Sequence, residues 1–442
     1  MQAATPQHGR MTVVKNLRLG LIHVAVAISL VPITGVLNRI MIHEMGFLAS
    51  LVAGLIVLPH FLSPLQPFLG QYSDHHPLFG YRRTPYIALG LLCCIGGAVL
   101  TPLAALLMEA NFWPGLAFAI VAFLLWGLGY NLSVVSYLSL ASDLSGEEQR
   151  SRTIAVMWFM MITAVIGTAI ATGRALETYT PETLVQVFMS CGAVALVLGA
   201  IGLVGLEPRG AVAATGVRHN AREAVGAILG NPQAQAFFIY LMLLLAAILG
   251  QDVLLEPYGA QAFDMSVRET TQLTATWGAA TLLALLLQGL VLSRFLSKKT
   301  AATLGAAVAA TGFMLIGLSG TLGVQGLFVP GIAVLGFGTG IATTTNLAMM
   351  LDMTTPANVG LFIGAWGVAD AAARGLGNLM AGVVRDVAGA ALGSGTGGYT
   401  TVFFLEGLML CVALVLLRRI DVSAFRNEQQ SLTTLIAVAG DA

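Results

Sequence analysis

Apolar residues in this sequence come in run after run of bilayer length, and that feature decides the fold class. Charge and turn residues cut out runs at 18–41, 47–70, 85–108, 113–141, 153–173, 184–206, 235–257, 270–293, 300–320, 325–350, 360–383 and 400–418. An α-helix needs about 20 apolar residues to cross the hydrocarbon of a bilayer. The runs also lack the 3.6-residue stripes of a soluble helix. Hydrophobic residues make up 57% of the chain and charged residues 10%, where a soluble domain carries about 25% charge. The expectation is an all-α membrane protein of about twelve transmembrane helices with little outside them.

The net charge of +0 offers no basic footprint for nucleic acid. Cys93, Cys94, Cys191 and Cys411 lie inside apolar runs without metal-site spacing. They read as small buried hydrophobes with no disulfide or zinc role. Residues 1–16 are polar and the first run lacks a cleavage-type end, so the first span is expected to stay.

The longest connection, 207–234, contains Glu207, Pro208, Arg209, Arg218 and Arg222. It parts the spans six and six, the layout of the major facilitator fold, whose halves are related by an axis along the membrane normal. The expected organisation is a six-helix half at 1–206, a cytoplasmic linker at 207–234, a second six-helix half at 235–420 and a cytoplasmic tail at 421–442. A weak repeat agrees: at one constant offset Asp143 aligns with Asp352, Ser145 with Thr354 and Ile154 with Ile363. With an even number of spans, both termini share a side. The opposite side holds Arg39, Arg174, Arg268, Arg374 and Arg385, and the terminal side holds the remaining sixteen of the 21 cationic residues. Lys and Arg concentrate on the cytoplasmic face, so both termini are expected there.

Several features can carry chemistry. Gly70, Asp74, Arg82 and Arg83 resemble the loop signature of major facilitators, Gly-x-x-x-Asp followed by Gly-x-Arg-Arg, stretched by His75 to Phe79. They form a candidate cytoplasmic gate motif, and the plainer reading is a charged loop that fixes topology. Charges at membrane depth are costly and suggest function. Gln251, Asp252, Glu256 and Tyr258 end the seventh span, with Asp252 and Glu256 four apart on one helical face. Asp370 and Arg374, also four apart, form a candidate intramembrane pair, with Arg39 and with Glu406 in the outer half of the last span. A structural pair network near the outer interface explains the same residues.

His23 and His60 are the histidines inside spans, and neutral imidazole can ligate a pigment's magnesium. Helix packing is the plainer role for each. Pro59, Pro64 and Pro67 can break the second span and free carbonyls toward a cavity. Spans one, four and ten lack a carboxylate in their central thirds. Asn131, Ser133, Ser136, Thr343 to Thr345 and Asn346 are polar there, and Met157, Met160, Met161, Met349, Met350 and Met353 add pliable apolar surface. That lining suits a large hydrophobic ligand better than a sugar or ion, although ordinary packing also accounts for the methionines. No free metal ion is expected.

"TGVLNRIMIHEMG" from Thr34, "SDHHPLFGYRRTPYIALG" from Ser73, "QDVLLEPYGAQAF" from Gln251 and "GLFIGAWGVADAAARGLGNLMAG" from Gly360 resemble the PucC/LhaA family of major-facilitator-like light-harvesting assembly proteins. The resemblance covers nearly the full chain. The stretch from Gly129 to Met161 looks closest to the branch labelled as a bacteriochlorophyll synthase subunit. The resemblance implies a multi-pass protein of a bacterial inner membrane, cytoplasmic or intracytoplasmic and photosynthetic. It implies a carrier that handles (bacterio)chlorophyll or a precursor and assists biogenesis of light-harvesting complexes. The implied partners are chlorophyll-type pigment, light-harvesting polypeptides or chlorophyll synthase, and membrane lipid. No cofactor is required beyond bound pigment. The family motif carries over to Gln251, Asp252, Glu256, Pro257, Tyr258 and Gly259, and to Arg39, Asp74, Arg82 and Arg83. The chain lacks the Asp-rich diphosphate motifs of a prenyltransferase, so a non-enzymatic role is expected. The alternative is a major-facilitator secondary transporter of a small or hydrophobic solute.

Overall fold

The computed structural model describes residues 12–209, 232–352 and 359–420. Most of the 207–234 linker and the whole 421–442 tail lie outside these residues, as do Met353 and Thr354. Among the described residues every regular element is helical. Ten helices among the described residues are long and apolar enough to cross a membrane, and Ala49–Leu65 is a shorter apolar helix.

The first span starts at α1 (Val13–Val31) and continues through two wide π-helical turns, Pro32–Leu37 and Ile40–Glu44. Proline at position 32 removes one backbone donor, and a widened ladder absorbs the loss. The span therefore reaches Glu44, past the expected end at 41. The second span breaks where its prolines cluster: α2 (Ala49–Phe61), one 3₁₀ turn (Ser63–Leu65) and α3 (Gln66–His75). Then come α4 (Thr84–Ala110), α5 (Phe112–Ala175) and α6 (Pro181–Leu203). The expected turn between spans four and five is helical instead. The backbone of α5 stays helical between two apolar stretches, Phe112–Ser145 and Arg152–Ala175.

After the linker, α7 (Pro232–Gly250) ends in a 3₁₀ turn (Gln251–Val253), and α8 (Leu255–Phe263) starts afresh. The chain continues through α9 (Val267–Leu290), α10 (Lys298–Leu322), α11 (Phe328–Asp352), α12 (Val359–Leu392) and α13 (Gly395–Arg418). The last two exceed their apolar runs because flanking glycine, alanine and polar residues still form helix.

The chain divides into two compact units, 1–216 with 255–275 and 217–254 with 276–442. In the first, α1 packs against α4, α5 and α6. Its core includes Leu19, Ile22, Ile87, Leu91, Tyr137, Met157 and Leu203. Backbones of α4 and α5 approach closely: a Cβ on Gly129 would strike the backbone of Cys93 and Cys94. Small residues supply such seams in membranes, where lipid gives no hydrophobic drive for helices to associate. In the second unit, α13 packs on α7, α10 and α12, with Phe313 of α10 facing Phe403 of α13 at a centroid distance of 6.4 Å.

Candidate functional site

The Gln251–Gly259 string does not form one helical face. Its helix stops at Gly250 and restarts at Leu255, so the four-residue spacing of Asp252 and Glu256 loses its meaning. The unit boundary falls at Leu254, with Asp252 on one side and Glu256 on the other. Two charge clusters result.

The first-unit cluster is built on Glu256, 2% exposed. Its Oε1 accepts a hydrogen bond from Thr274 Oγ1 at 2.6 Å. It lies against Gly35 in the π-helical part of span one, where an added Cβ would stand 2.6 Å from Oε1. Arg39, 3% exposed, pairs with Glu44 at 2.7 Å and donates to the Met265 carbonyl at 3.0 Å. The partner of Arg39 is thus Glu44. Tyr258 is fully buried, its ring 5.8 Å from Phe263. Outside the spans, burial and the carboxylates of Glu109, Glu44 and Glu182 hold the Tyr179 hydroxyl above its ordinary pKa.

The second-unit cluster is built on Asp252. Gln251 Nε2 donates to its Oδ1 at 2.8 Å, and Arg374 stands 3.5 Å from its Oδ2. Arg374 also pairs with Asp370 at 3.1 Å across one helical turn of α12. Glu406, expected in the outer half of its span, stands midway along α13 and is 3% exposed. Among the described residues, both of its carboxylate oxygens lack a hydrogen-bond partner. Its Oε1 would lie 2.7 Å from a Cβ on Gly250.

The loop motif forms a latch. Arg82 pairs with Asp143, and Arg83 Nε approaches the same carboxylate at 3.6 Å. Arg83 also donates to Ser73 Oγ at 2.7 Å and to the Gly70 carbonyl at 3.4 Å. The side chain of Asp74 lies outside the described ones. Glu207 caps the start of α4, accepting from the backbone N–H of Arg82, Arg83 and Thr84 at 2.8, 3.0 and 2.7 Å. Motif spacing pointed to Asp74 and missed Asp143 and Glu207 as partners, although Asp143 was marked by the repeat. Its repeat mate Asp352 pairs with Lys298 at the start of α10, at 2.6 Å. Each acid thus stands near the end of an apolar span and meets a cation at the start of the preceding helix.

The polar and histidine candidates are mostly engaged in packing. Asn131 donates to the carbonyls of Pro59 and Gly127, both at 2.8 Å, and accepts from Gln66 at 2.7 Å. The carbonyl freed at the proline break is therefore taken up inside the helix packing. His23 packs its ring on Tyr137 and Trp158 at 5.1 and 5.7 Å. His60 is half-buried in the last turn of α2. Asn346 donates to the Ala342 carbonyl in its own helix at 2.8 Å. Among the described residues, no three His, Cys, Asp or Glu side chains are grouped to hold a metal ion.

Membrane-spanning helices, a broken second span and latches at the ends of spans four and ten define a multi-pass membrane protein of the major facilitator fold. Solved structures agree on the fold. A bacterial homologue of the human lysosomal transporter Spinster, inward-facing and unoccupied, superposes with a TM-score of 0.72 at 14% identity, over 96% of this chain and 98% of that one. The nucleoside transporter NupG gives 0.68 at 14% identity, over 92% and 99%. The family model described as PUCC protein matches residues 36–425, and the chain belongs to that family. Protein PucC of Rhodobacter capsulatus is 33% identical over 416 residues, covering 90% of each chain. Protein PucC of Rhodovulum sulfidophilum is 34% identical over 383 residues, covering 84% of each. The bacteriochlorophyll synthase 44.5 kDa chain of Rhodobacter capsulatus is 28% identical over 405 residues, covering 90% of this chain and 93% of that one.

Proposed function

We propose that this chain is a non-enzymatic membrane carrier and assembly factor that handles (bacterio)chlorophyll and assists biogenesis of light-harvesting complexes. The observation that carries the reading is the PUCC match over residues 36–425, alongside a relative whose name includes bacteriochlorophyll synthase. Partners on this reading are pigment, light-harvesting polypeptides or chlorophyll synthase, and lipid. Gln251, Asp252, Glu256 and Tyr258 are the handover residues, and charges kept at membrane depth at a desolvation cost support that assignment. The reading includes two six-helix halves, 1–206 and 235–420, with linker, tail and both termini cytoplasmic. The excess of Lys and Arg on one side supports this orientation. A fluorescent protein fused to the C terminus should then fold and glow, while a phosphatase active only in the periplasm stays inactive there.

The test is purification in mild detergent from a pigmented host. The expected result is pigment or an antenna or synthase subunit that co-purifies. A colourless protein without such partners overturns the reading. Asp252→Asn sharpens it: in handover, protein abundance holds while antenna yield falls, whereas a purely structural role lowers both together.

The likeness to solved transporters favours one second reading, a secondary transporter of a small or hydrophobic solute. It requires solute uptake by proteoliposomes under a proton gradient, lost when Asp252 or Glu256 is neutralised.

A further inference from the structure

Glu406 sits in surroundings that an ionised carboxylate does not tolerate. It stands halfway along α13. It is almost wholly shielded, and neither carboxylate oxygen receives a hydrogen bond from the described residues. A buried charge with neither counter-ion nor donor gives up its charge where it can.

Among the described residues, no cation forms an ion pair with it. From α12 come Asp370 and Arg374, and the Arg374 guanidinium is already divided between Asp370 and Asp252 at 3.1 and 3.5 Å. After α7 comes Asp252, itself held by Gln251 at 2.8 Å and Arg374 at 3.5 Å. Tyr240 of α7 is neutral at ordinary pH and fully buried. The ionisable side chains of α10 are Lys298 and Lys299 in its first turn, where Lys298 binds Asp352 and Lys299 binds the Arg418 and Ile420 carbonyls. Farther along α12, Arg385 pairs with Asp386 and stacks over Tyr399 of α13. Asp370 and Asp252 thus share the Arg374 guanidinium, and among the described residues Glu406 forms no ion pair.

Beside the seam, among the described residues, two further buried acceptors also lack donors. Gln251 Oε1 and Asn378 Oδ1 are buried without donors. Gln251 follows the glycine against which Glu406 rests. A proton on Glu406 removes the uncompensated charge and converts one acceptor into a donor.

We propose that Glu406 is a proton-binding site: it holds an exchangeable proton at mid-membrane, and losing that proton loosens the seam of α7 and α13 at Gly250. The seam is tight, because Gly250 lacks the Cβ that would meet Glu406 Oε1 at 2.7 Å and the Gly377 carbonyl of α12 at 3.3 Å. An ionised Glu406 draws water or a cation, and Gly250 leaves no room for either without helix separation. The inference stands independently of pigment handling and assigns the chain a proton as ligand.

The test uses the full-length protein in lipid. Infrared spectra should contain a carboxylic-acid C=O band at neutral pH that shifts in deuterated water and fades on alkaline titration. Glu406→Gln should remove it, and Glu406→Asp should move it. In the wild type, backbone hydrogen exchange over 245–250, divided by its intrinsic base-catalysed rate at each pH, should rise severalfold across the same pH range, and in Glu406→Gln that ratio should stay flat. A spectrum identical in Glu406→Gln and wild type overturns the proposal, as does sodium-dependent and pH-independent exchange, which would indicate a metal-cation site. Should Glu406→Gln fail to fold, the Glu406→Asp band decides: an unmoved band overturns the proposal.

Discussion

At the scale of single residues, buried carboxylates in this protein are accommodated by missing side chains as much as by partners. Glu256 rests on Gly35 and Glu406 on Gly250. Gly35→Ala forces a Cβ to 2.6 Å from Glu256 Oε1, an overpacking that typically costs about 1–3 kcal/mol. A lowered thermal midpoint of the detergent-purified variant is the expected result. Glu207 shows the converse, a carboxylate that satisfies three backbone donors at the start of α4. A lost helix cap costs about 0.5–2 kcal/mol, so Glu207→Ala should lower the unfolding midpoint, with Glu207→Gln intermediate because one side-chain oxygen still accepts. Glu207 was legible as a charge at the end of span six. Its capping role depends on where α4 begins in space.

At the scale of elements, the breaks in helices carry more information than the helices. Pro59, Pro64 and Pro67 foretold the break in span two. The carbonyl of Pro59 is taken up by Asn131, so the break is held by α5. Asn131→Leu leaves the Pro59 carbonyl and the Gln66 amide without these bonds, and stranding a buried polar group costs about 1–3 kcal/mol. Proteolysis or hydrogen exchange confined to 59–66 should rise before the rest of the protein loosens. The break after Gly250 was not legible, because Gln251–Gly259 contains no proline until position 257 and reads as a continuing helix. The 3₁₀ turn there reflects tertiary demands: it directs Asp252 to Arg374 and lets Glu256 meet Thr274.

At the scale of the whole molecule, the two latches are the visible trace of the repeat. Asp143 with Arg82 and Asp352 with Lys298 each close a pair of successive helices inside one unit. Both acids are about 40% exposed, so water screens them and each pair contributes at most about 1 kcal/mol to stability. The two latches belong to different units. Asp143→Asn and Asp352→Asn should therefore add within about 0.5 kcal/mol in the double variant, measured by chemical unfolding. A larger departure would mean that the latches are coupled through a change affecting both units, as a transporter-like cycle requires.

By itself the sequence determined the membrane, the rough limits of most spans, the proline break and the family motifs. Apolar burial and backbone hydrogen bonding in lipid act locally, residue by residue along a run, so pattern suffices. Only the tertiary structure decided which charges meet. The rotation and tilt of each helix are set by its packing against neighbours, and hydropathy does not encode them. That packing gave Arg39 to Glu44 and Asp143 to Arg82. It set Glu256 apart from Asp252 and left Glu406 between helices with no partner for its charge.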